Sequence, residues 1–76
     1  MMTFDIHAEW DAEAGVWLAT SEEILGLCVQ AETFDELVEV IAALVPELLM
    51  ENHIATPDLI SIRVLAERTA TVRAAA

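Results

Sequence analysis

One long amphipathic stretch, residues 33–52, limits what this chain can fold into, because the rest of the sequence has the pattern of strands and turns. Its apolar residues recur at helical spacing and fall in one stripe: Phe34, Leu37, Val38, Ile41, Leu44, Val45, Leu48 and Leu49. The opposite side carries the acids Asp35, Glu36, Glu39, Glu47 and Glu51. A helix with an apolar face and an acidic face needs a surface to pack on, and we expect the flanking strands to form it.

The ends of this helix are marked in the sequence. Thr33 and Glu36 have the spacing of a capping box, in which each side chain bonds the backbone N–H of the other residue. Asn52 is the expected left-handed residue after the last turn. Pro46 falls on the solvent side of the wheel, where water can satisfy the carbonyl it leaves unbonded, so we expect one bent helix rather than two short ones.

Four segments have the alternation typical of strands, namely residues 3–10, 16–21, 27–31 and 59–69. The turn at residues 11–15 contains Gly15, which can adopt a positive φ, so the first two strands form a hairpin. The helix then acts as a crossover, and the fourth strand is expected to lie parallel to the first. The predicted fold class is α+β, β-β-β-α-β, with a four-stranded mixed sheet of order 3-2-1-4 and one helix on one face.

The other sheet face is expected to lie open and to carry apolar residues. The pattern does not decide whether Trp17 or Leu18 faces the core, and Leu59 and Leu65 share the open face in the fourth strand. A chain of 76 residues with 57 % hydrophobic content and one cysteine has no disulfide to stabilise it, so we expect a homodimer. The expected dimer interface is Trp17, Leu59 and Leu65.

The charge of the chain excludes several classes of partner. Fourteen acids against three arginines give a net charge of −11, which repels nucleic-acid phosphates and attracts basic proteins. The bland alternative is that this acidity only keeps a small domain in solution. Without a long apolar run or an export signal, we expect no membrane contact and a cytoplasmic location. A single domain over residues 1–76 is expected, with its core at 3–68 and a tail at 69–76.

No catalytic, cofactor-binding or metal-binding constellation is expected. Asp5 and Glu9 lie on the outward side of the first strand and Glu67 near the end of the fourth, and we expect these acids to stay apart, so the chain is not an enzyme. His7 and His53 are expected at the surface and at the helix end, and Cys28 as a small packed residue.

Several strings in the sequence resemble one protein family. Residues 8–21, AEWDAEAGVWLATS, resemble the opening hairpin of small HicB-like proteins, and so do residues 25–27, LGL, and residues 31–37, AETFDEL. The most similar subgroup is a set of short bacterial proteins of uncharacterised function that share the WDxEAGVW signature. The similarity covers about residues 3–68.

The resemblance implies a partial RNase H-like fold and a functional class. HicB proteins are antitoxins that bind and block a small basic toxin that cleaves RNA. Many carry a DNA-binding segment after the fourth strand, and because this sequence ends at Ala76 no direct DNA contact is expected. The expected function is therefore an antitoxin-like binding module that contacts its toxin through Asp35, Glu36, Glu39, Glu47 and Glu51. The alternative is a stand-alone dimeric structural or regulatory protein without a toxin.

Overall fold

The structure, a computed structural model, describes residues 2–75, so Met1 and the last tail residue, Ala76, lie outside the described residues. Its elements are β1 (Met2–Asp11), β2 (Val16–Thr20), β3 (Cys28–Ala31), α1 (Phe34–Glu51) and β4 (Ile60–Glu67). They form a four-stranded mixed sheet of order β3-β2-β1-β4 with one helix, which confirms the predicted α+β class, element order and strand order. β1 is antiparallel to β2 and parallel to β4.

The β1–β2 turn is built by Asp11. Its carboxylate accepts hydrogen bonds from the backbone N–H groups of Glu13 and Ala14, at 3.1 and 3.2 Å. The N–H of Gly15 donates to the Asp11 carbonyl at 2.8 Å, and Gly15 has the expected positive φ, +69°. An aspartate that bonds the next backbone N–H groups favours a turn over a continued strand, so this short segment fixes the hairpin.

Helix α1 begins as predicted and runs through Pro46 without interruption. The Thr33 hydroxyl accepts from the N–H of Glu36 at 3.1 Å. The reciprocal half of the capping box is not formed within residues 2–75, where no hydrogen bond joins the Glu36 carboxylate to the backbone of Thr33. Pro46 is exposed, which agrees with its place on the solvent side of the wheel.

The left-handed residue after the helix lies one position later than the sequence suggested. Asn52 has a φ of −85°, and the left-handed residue is His53, with a φ of +57°. The N–H of His53 donates to the carbonyl of Met50, and that of Ile54 donates to the carbonyl of Leu49. These two bonds form a Schellman motif. Asn52 instead uses its side-chain amide to donate to the carbonyl of Leu25, at 2.9 Å.

The core lies between the helix and one sheet face. Its buried residues are Phe4, Ile6, Ala8, Ala19, Ile24, Leu27, Leu37, Ile41, Val45 and Leu49. Ile24 belongs to the loop between β2 and β3, for which the sequence pattern predicts no core residue. Ser21 holds this loop, since its hydroxyl accepts from the N–H groups of Glu23 and Ile24 and donates to the carbonyl of Asp5.

The helix does not cover the sheet evenly. It lies nearest to β3 and β2, and no residue of β4 is buried.

Among the described residues no helix is both long and apolar enough to cross a membrane. After Glu67, residues 68–75 belong to no helix or strand and are exposed.

Candidate functional site

The outer face of helix α1 carries the five acids that the sequence singled out. Asp35, Glu36, Glu39, Glu47 and Glu51 are all exposed and point away from the sheet. No basic side chain in residues 2–75 forms an ion pair with them, because the ion pairs there join His7 to Glu9 and Arg63 to Asp5. We call these five residues the helix outer face. From Asp35 to Glu51 it extends about 24 Å, which is sixteen steps of 1.5 Å along the helix axis.

Apolar side chains lie among these acids. Val40 is 42 % exposed and Met50 is 76 % exposed, and both lie on the solvent side of the helix. A partner that docks on the helix outer face can therefore bury apolar surface as well as pair charges. Interfaces combine these features, with apolar contacts near the centre and charges at the rim.

The open face of the sheet is polar, which corrects the expectation of an apolar surface. Alternate residues of β1 point there: Thr3, Asp5, His7 and Glu9. The β4 residues in register with them are Ser61, Arg63, Leu65 and Glu67. Leu65, 53 % exposed, is the apolar member of the β4 row, and Leu59, 72 % exposed, directly precedes the strand. The polar pattern was visible in the sequence, but the register that places it in two facing rows was not.

Trp17 does not share this face with Leu59 and Leu65. It pairs with Trp10 across the hairpin, and its ring lies edge-on to Phe34 at a centroid distance of 5.6 Å, on the helix side. Leu18 takes the place on the open face, which settles the alternative the sequence left open. The three residues expected at a dimer interface are therefore not on one surface.

Asp5 and Arg63 form a bidentate ion pair on the open face. Arg63 donates from Nε to Oδ1 at 2.8 Å and from Nη2 to Oδ2 at 3.0 Å. The hydrogen bonds from Arg63, together with its charge, hold the pKa of Asp5 below its ordinary value although partial desolvation opposes the shift. The same contacts raise the pKa of Arg63. The backbone N–H of Asp5 donates to Glu23 at 2.7 Å, so this residue links β1, β4 and the β2–β3 loop.

Next along the open face, three potential metal ligands come together. The Nε2 of His7 lies 3.2 Å from Oε1 of Glu9, and Glu67 is opposite Glu9 in the β1–β4 register. One ligand atom from each residue lies within 4.8 Å of the others. The expectation that Glu9 and Glu67 stay apart is therefore wrong, while Asp5 is not part of this group. All three side chains are open to solvent, and an exposed group of this kind is common without an ion.

A cleft of about 400 Å³ opens on the same face where β2 ends and β1 continues. Its lining includes the acids Asp5, Glu22 and Glu23, together with His7 and Leu65. A cleft with carboxylates and one leucine suits the aliphatic stem and charged end of a lysine or arginine side chain. The sequence missed this feature, because its residues come from two strands and a loop.

Cys28 is exposed at the start of β3, which corrects the expectation of a packed residue. At the other end of the hairpin, the guanidinium of Arg68 lies over the ring of Trp10, 4.4 Å from its centroid. This cation–π contact attaches the first tail residue to the hairpin.

Comparisons with known proteins find a family model and a solved structure that match the chain. The model of a family described as domain of unknown function DUF1902 matches residues 3–76. The crystal structure of hypothetical protein TTHA1013 from the extremely thermophilic bacterium Thermus thermophilus superposes with a TM-score of 0.81 at 41 % sequence identity. That match covers 92 % of this chain and 99 % of the other. None of the curated proteins compared with the chain matches it.

Proposed function

The chain belongs to the DUF1902 family, and we propose that it acts as a cytoplasmic, antitoxin-like binding module that neutralises a small basic RNA-cleaving toxin. The observation that carries the proposal is the helix outer face, five exposed acids without a basic side chain paired to them within residues 2–75. The resemblance of the hairpin and of the helix start to HicB-like antitoxins supports it, as does the net charge of −11.

The physical basis is competition for a basic surface. A protein that cleaves RNA binds phosphates through lysine and arginine side chains. A row of carboxylates on a rigid helix offers those side chains an alternative partner and blocks access of RNA. Val40 and Met50 add apolar area to the same surface. Inhibition by coverage needs no catalytic residue and no cofactor.

The test is binding to a small basic protein encoded beside the gene, measured by isothermal titration calorimetry. Reversing Glu36, Glu39 and Glu47 to Lys should weaken binding by about tenfold or more, because each new lysine repels the basic surface. The matched control reverses Glu13, Glu22 and Asp58 to Lys, which changes the net charge equally but leaves the helix outer face intact.

The losses of affinity in the helix variant and in the control variant show which surface binds the partner. A larger loss from the helix variant than from the control supports the proposal. An equal loss from both, or a larger loss from the control, moves the contact away from the helix, in the second case toward the acidic cleft that Glu22 lines. If no basic protein is encoded nearby and none co-purifies at low salt, the toxin-binding proposal fails.

A second candidate is a stand-alone dimeric structural or regulatory protein without a toxin. Two exposed leucines favour it: Leu65 within β4, a strand with no buried residue, and Leu59 directly before it. This candidate is favoured over the first if the gene has no neighbour that encodes a small basic protein and the protein self-associates.

A further inference from the structure

Strand β4 is an unprotected sheet edge. In the order β3-β2-β1-β4 it lies at one end of the sheet, and within residues 2–75 no strand pairs with its outer side. It is eight residues long, whereas β3, at the opposite edge, has four. A long edge strand presents a row of unpaired N–H and C=O groups, and proteins usually shield it with charged side chains (lysine above all), proline, a bulge or a covering helix. β4 contains neither lysine nor proline, its charged side chains are Arg63 and Glu67, and α1 lies nearest to β3 and β2.

The helix side of this edge is apolar, and its open-face side carries one exposed leucine. Ile62 and Val64 point to the helix side, where they contact the core and remain only half-buried. Leu65 points to the open face and is 53 % exposed. An added strand would bury these side chains and satisfy the free backbone groups of β4 together, as β-strand addition does in other proteins.

We propose that the added strand is β4 of a second copy, paired antiparallel about a twofold axis at Leu65. In this register Arg63 lies opposite Glu67 of the partner subunit, and the same pair forms again on the other side of the axis. Nε and Nη2 of Arg63 are bonded to Asp5, and Nη1 has no acceptor within residues 2–75, so it can donate to a further carboxylate. Glu67 has no basic partner in the described chain and lies beside the carboxylate of Glu9.

The side chains exclude the neighbouring registers. A shift of one residue would bring side chains from opposite sheet faces together. A shift of two would place Leu65 opposite Arg63 or Glu67 of the partner subunit, which buries a charge against an apolar side chain. A shift of four would pair Arg63 or Glu67 with its own copy, and like charges directly opposite each other are destabilising.

The resulting dimer is a continuous eight-stranded sheet with both helices on the same side. The residues that follow Glu67 would run along residues 60–62 of the partner subunit, which gives the exposed tail a pairing strand. Leu65 belongs to this interface, Leu59 flanks it and Trp17 does not. The inference rests on the self-association candidate and names its surface. It leaves the helix outer face uncovered and is independent of a toxin.

The test is sedimentation velocity of the full chain over a range of concentrations. The wild-type protein should sediment as a dimer. Glu67→Arg places Arg opposite Arg63 on both sides of the axis and should raise the dimer dissociation constant by about tenfold or more. Glu13→Arg, the same charge change in the hairpin turn, should leave it unaltered. Mixing Glu67→Arg with Arg63→Glu should restore dimers, because each copy then meets the opposite charge.

Three results would overturn the inference. A wild-type dimer that Glu67→Arg leaves intact shows that the chain self-associates through another surface. A mixture of the two variants that stays monomeric, with both folded by circular dichroism, refutes the register. A wild-type monomer at high micromolar concentration refutes the interface and the self-association candidate together, and leaves the toxin-binding proposal in place.

Discussion

The guanidinium of Arg63 joins the carboxylate of Asp5 across the parallel pair of β1 and β4, fifty-eight residues apart in sequence, with N–O distances of 2.8 and 3.0 Å. This pair links the first strand to the last. It also fixes the orientation of Arg63 at the sheet edge, where the proposed dimer needs its remaining nitrogen.

The Asp5–Arg63 pair predicts a pH-dependent stability. Because the pKa of Asp5 is lowered in the folded state, the unfolded chain binds a proton near pH 3.8 that the folded chain binds only at a lower pH. The contribution is therefore complete above the unfolded pKa and is lost as the pH falls through the folded pKa. Urea unfolding of Asp5→Asn between pH 2 and 7 should differ most from wild type at neutral pH and least in acid.

The matched variant is Arg63→Gln, which removes the cause of the pKa shift. It should reduce the loss of stability between neutral and acid pH (the acid limb of the stability curve) as Asp5→Asn does. The double variant should flatten it no further, since one interaction is lost in every case. Acid limbs equal to that of the wild-type protein in both single variants would contradict the assignment of the shift to Arg63.

The left-handed backbone of His53 predicts that glycine at this position stabilises the protein. A left-handed conformation costs an L-residue about 1–2 kcal/mol, and glycine adopts it without that cost. Allowing for the greater unfolded-state freedom of glycine, His53→Gly should raise the free energy of unfolding by about 0.5–1 kcal/mol. His53→Ala is the control, because alanine keeps the strained φ and should bring no gain. Equal free energies of unfolding for His53→Gly and His53→Ala would mean that alanine relieves the strain by another backbone conformation.

Ile24 predicts that the β2–β3 loop is part of the core. Its side chain is fully buried, so Ile24→Ala should lower the free energy of unfolding by about 2–5 kcal/mol through lost apolar contact and a cavity. The neighbour Leu25 is 78 % exposed, and Leu25→Ala should change stability by about 0.5 kcal/mol or less. Chemical denaturation checks both, and similar effects would show that the loop does not pack as described.

The Thr33 hydroxyl is expected to contribute to stability as the helix N-cap. Its hydroxyl satisfies the N–H of Glu36, and Thr33→Ala should cost about 1 kcal/mol. Thr33→Ser keeps the acceptor and should stay close to wild type. Glu36→Ala should have little effect through the cap, because the reciprocal bond that its carboxylate could make is not formed within residues 2–75. A large loss from Glu36→Ala would indicate a complete capping box in solution.

Local patterns account for the correct part of the sequence-based prediction. The spacing of Leu37, Ile41, Val45 and Leu49 predicts the helix, and these four residues are its buried ones. The alternation of Phe4, Ile6 and Ala8 predicts the buried face of β1. Asp11 and Gly15 predict the hairpin turn. Each inference needs only the period of one element or the chemistry of one turn, and both are local.

The missed features depend on how distant segments meet. The meeting of Glu9 and Glu67, the exposure of Cys28 and the burial of Ile24 follow from strand register and loop packing. The position of His53 depends on where the last helical hydrogen bond closes, which one residue of ambiguity in the sequence leaves open. The polar open face follows from two rows that only the β1–β4 register brings side by side.

By itself the sequence determined the elements, their order and the acidic outer face of the helix, because periodicity and charge are written along the chain. Only the tertiary structure decided that Trp17 packs against Phe34, that Arg63 joins Asp5, and that β4 is an edge without a pairing strand among residues 2–75. The physical reason is that side-chain contacts between strands depend on register. The loops and the core set that register together, and no single segment encodes it.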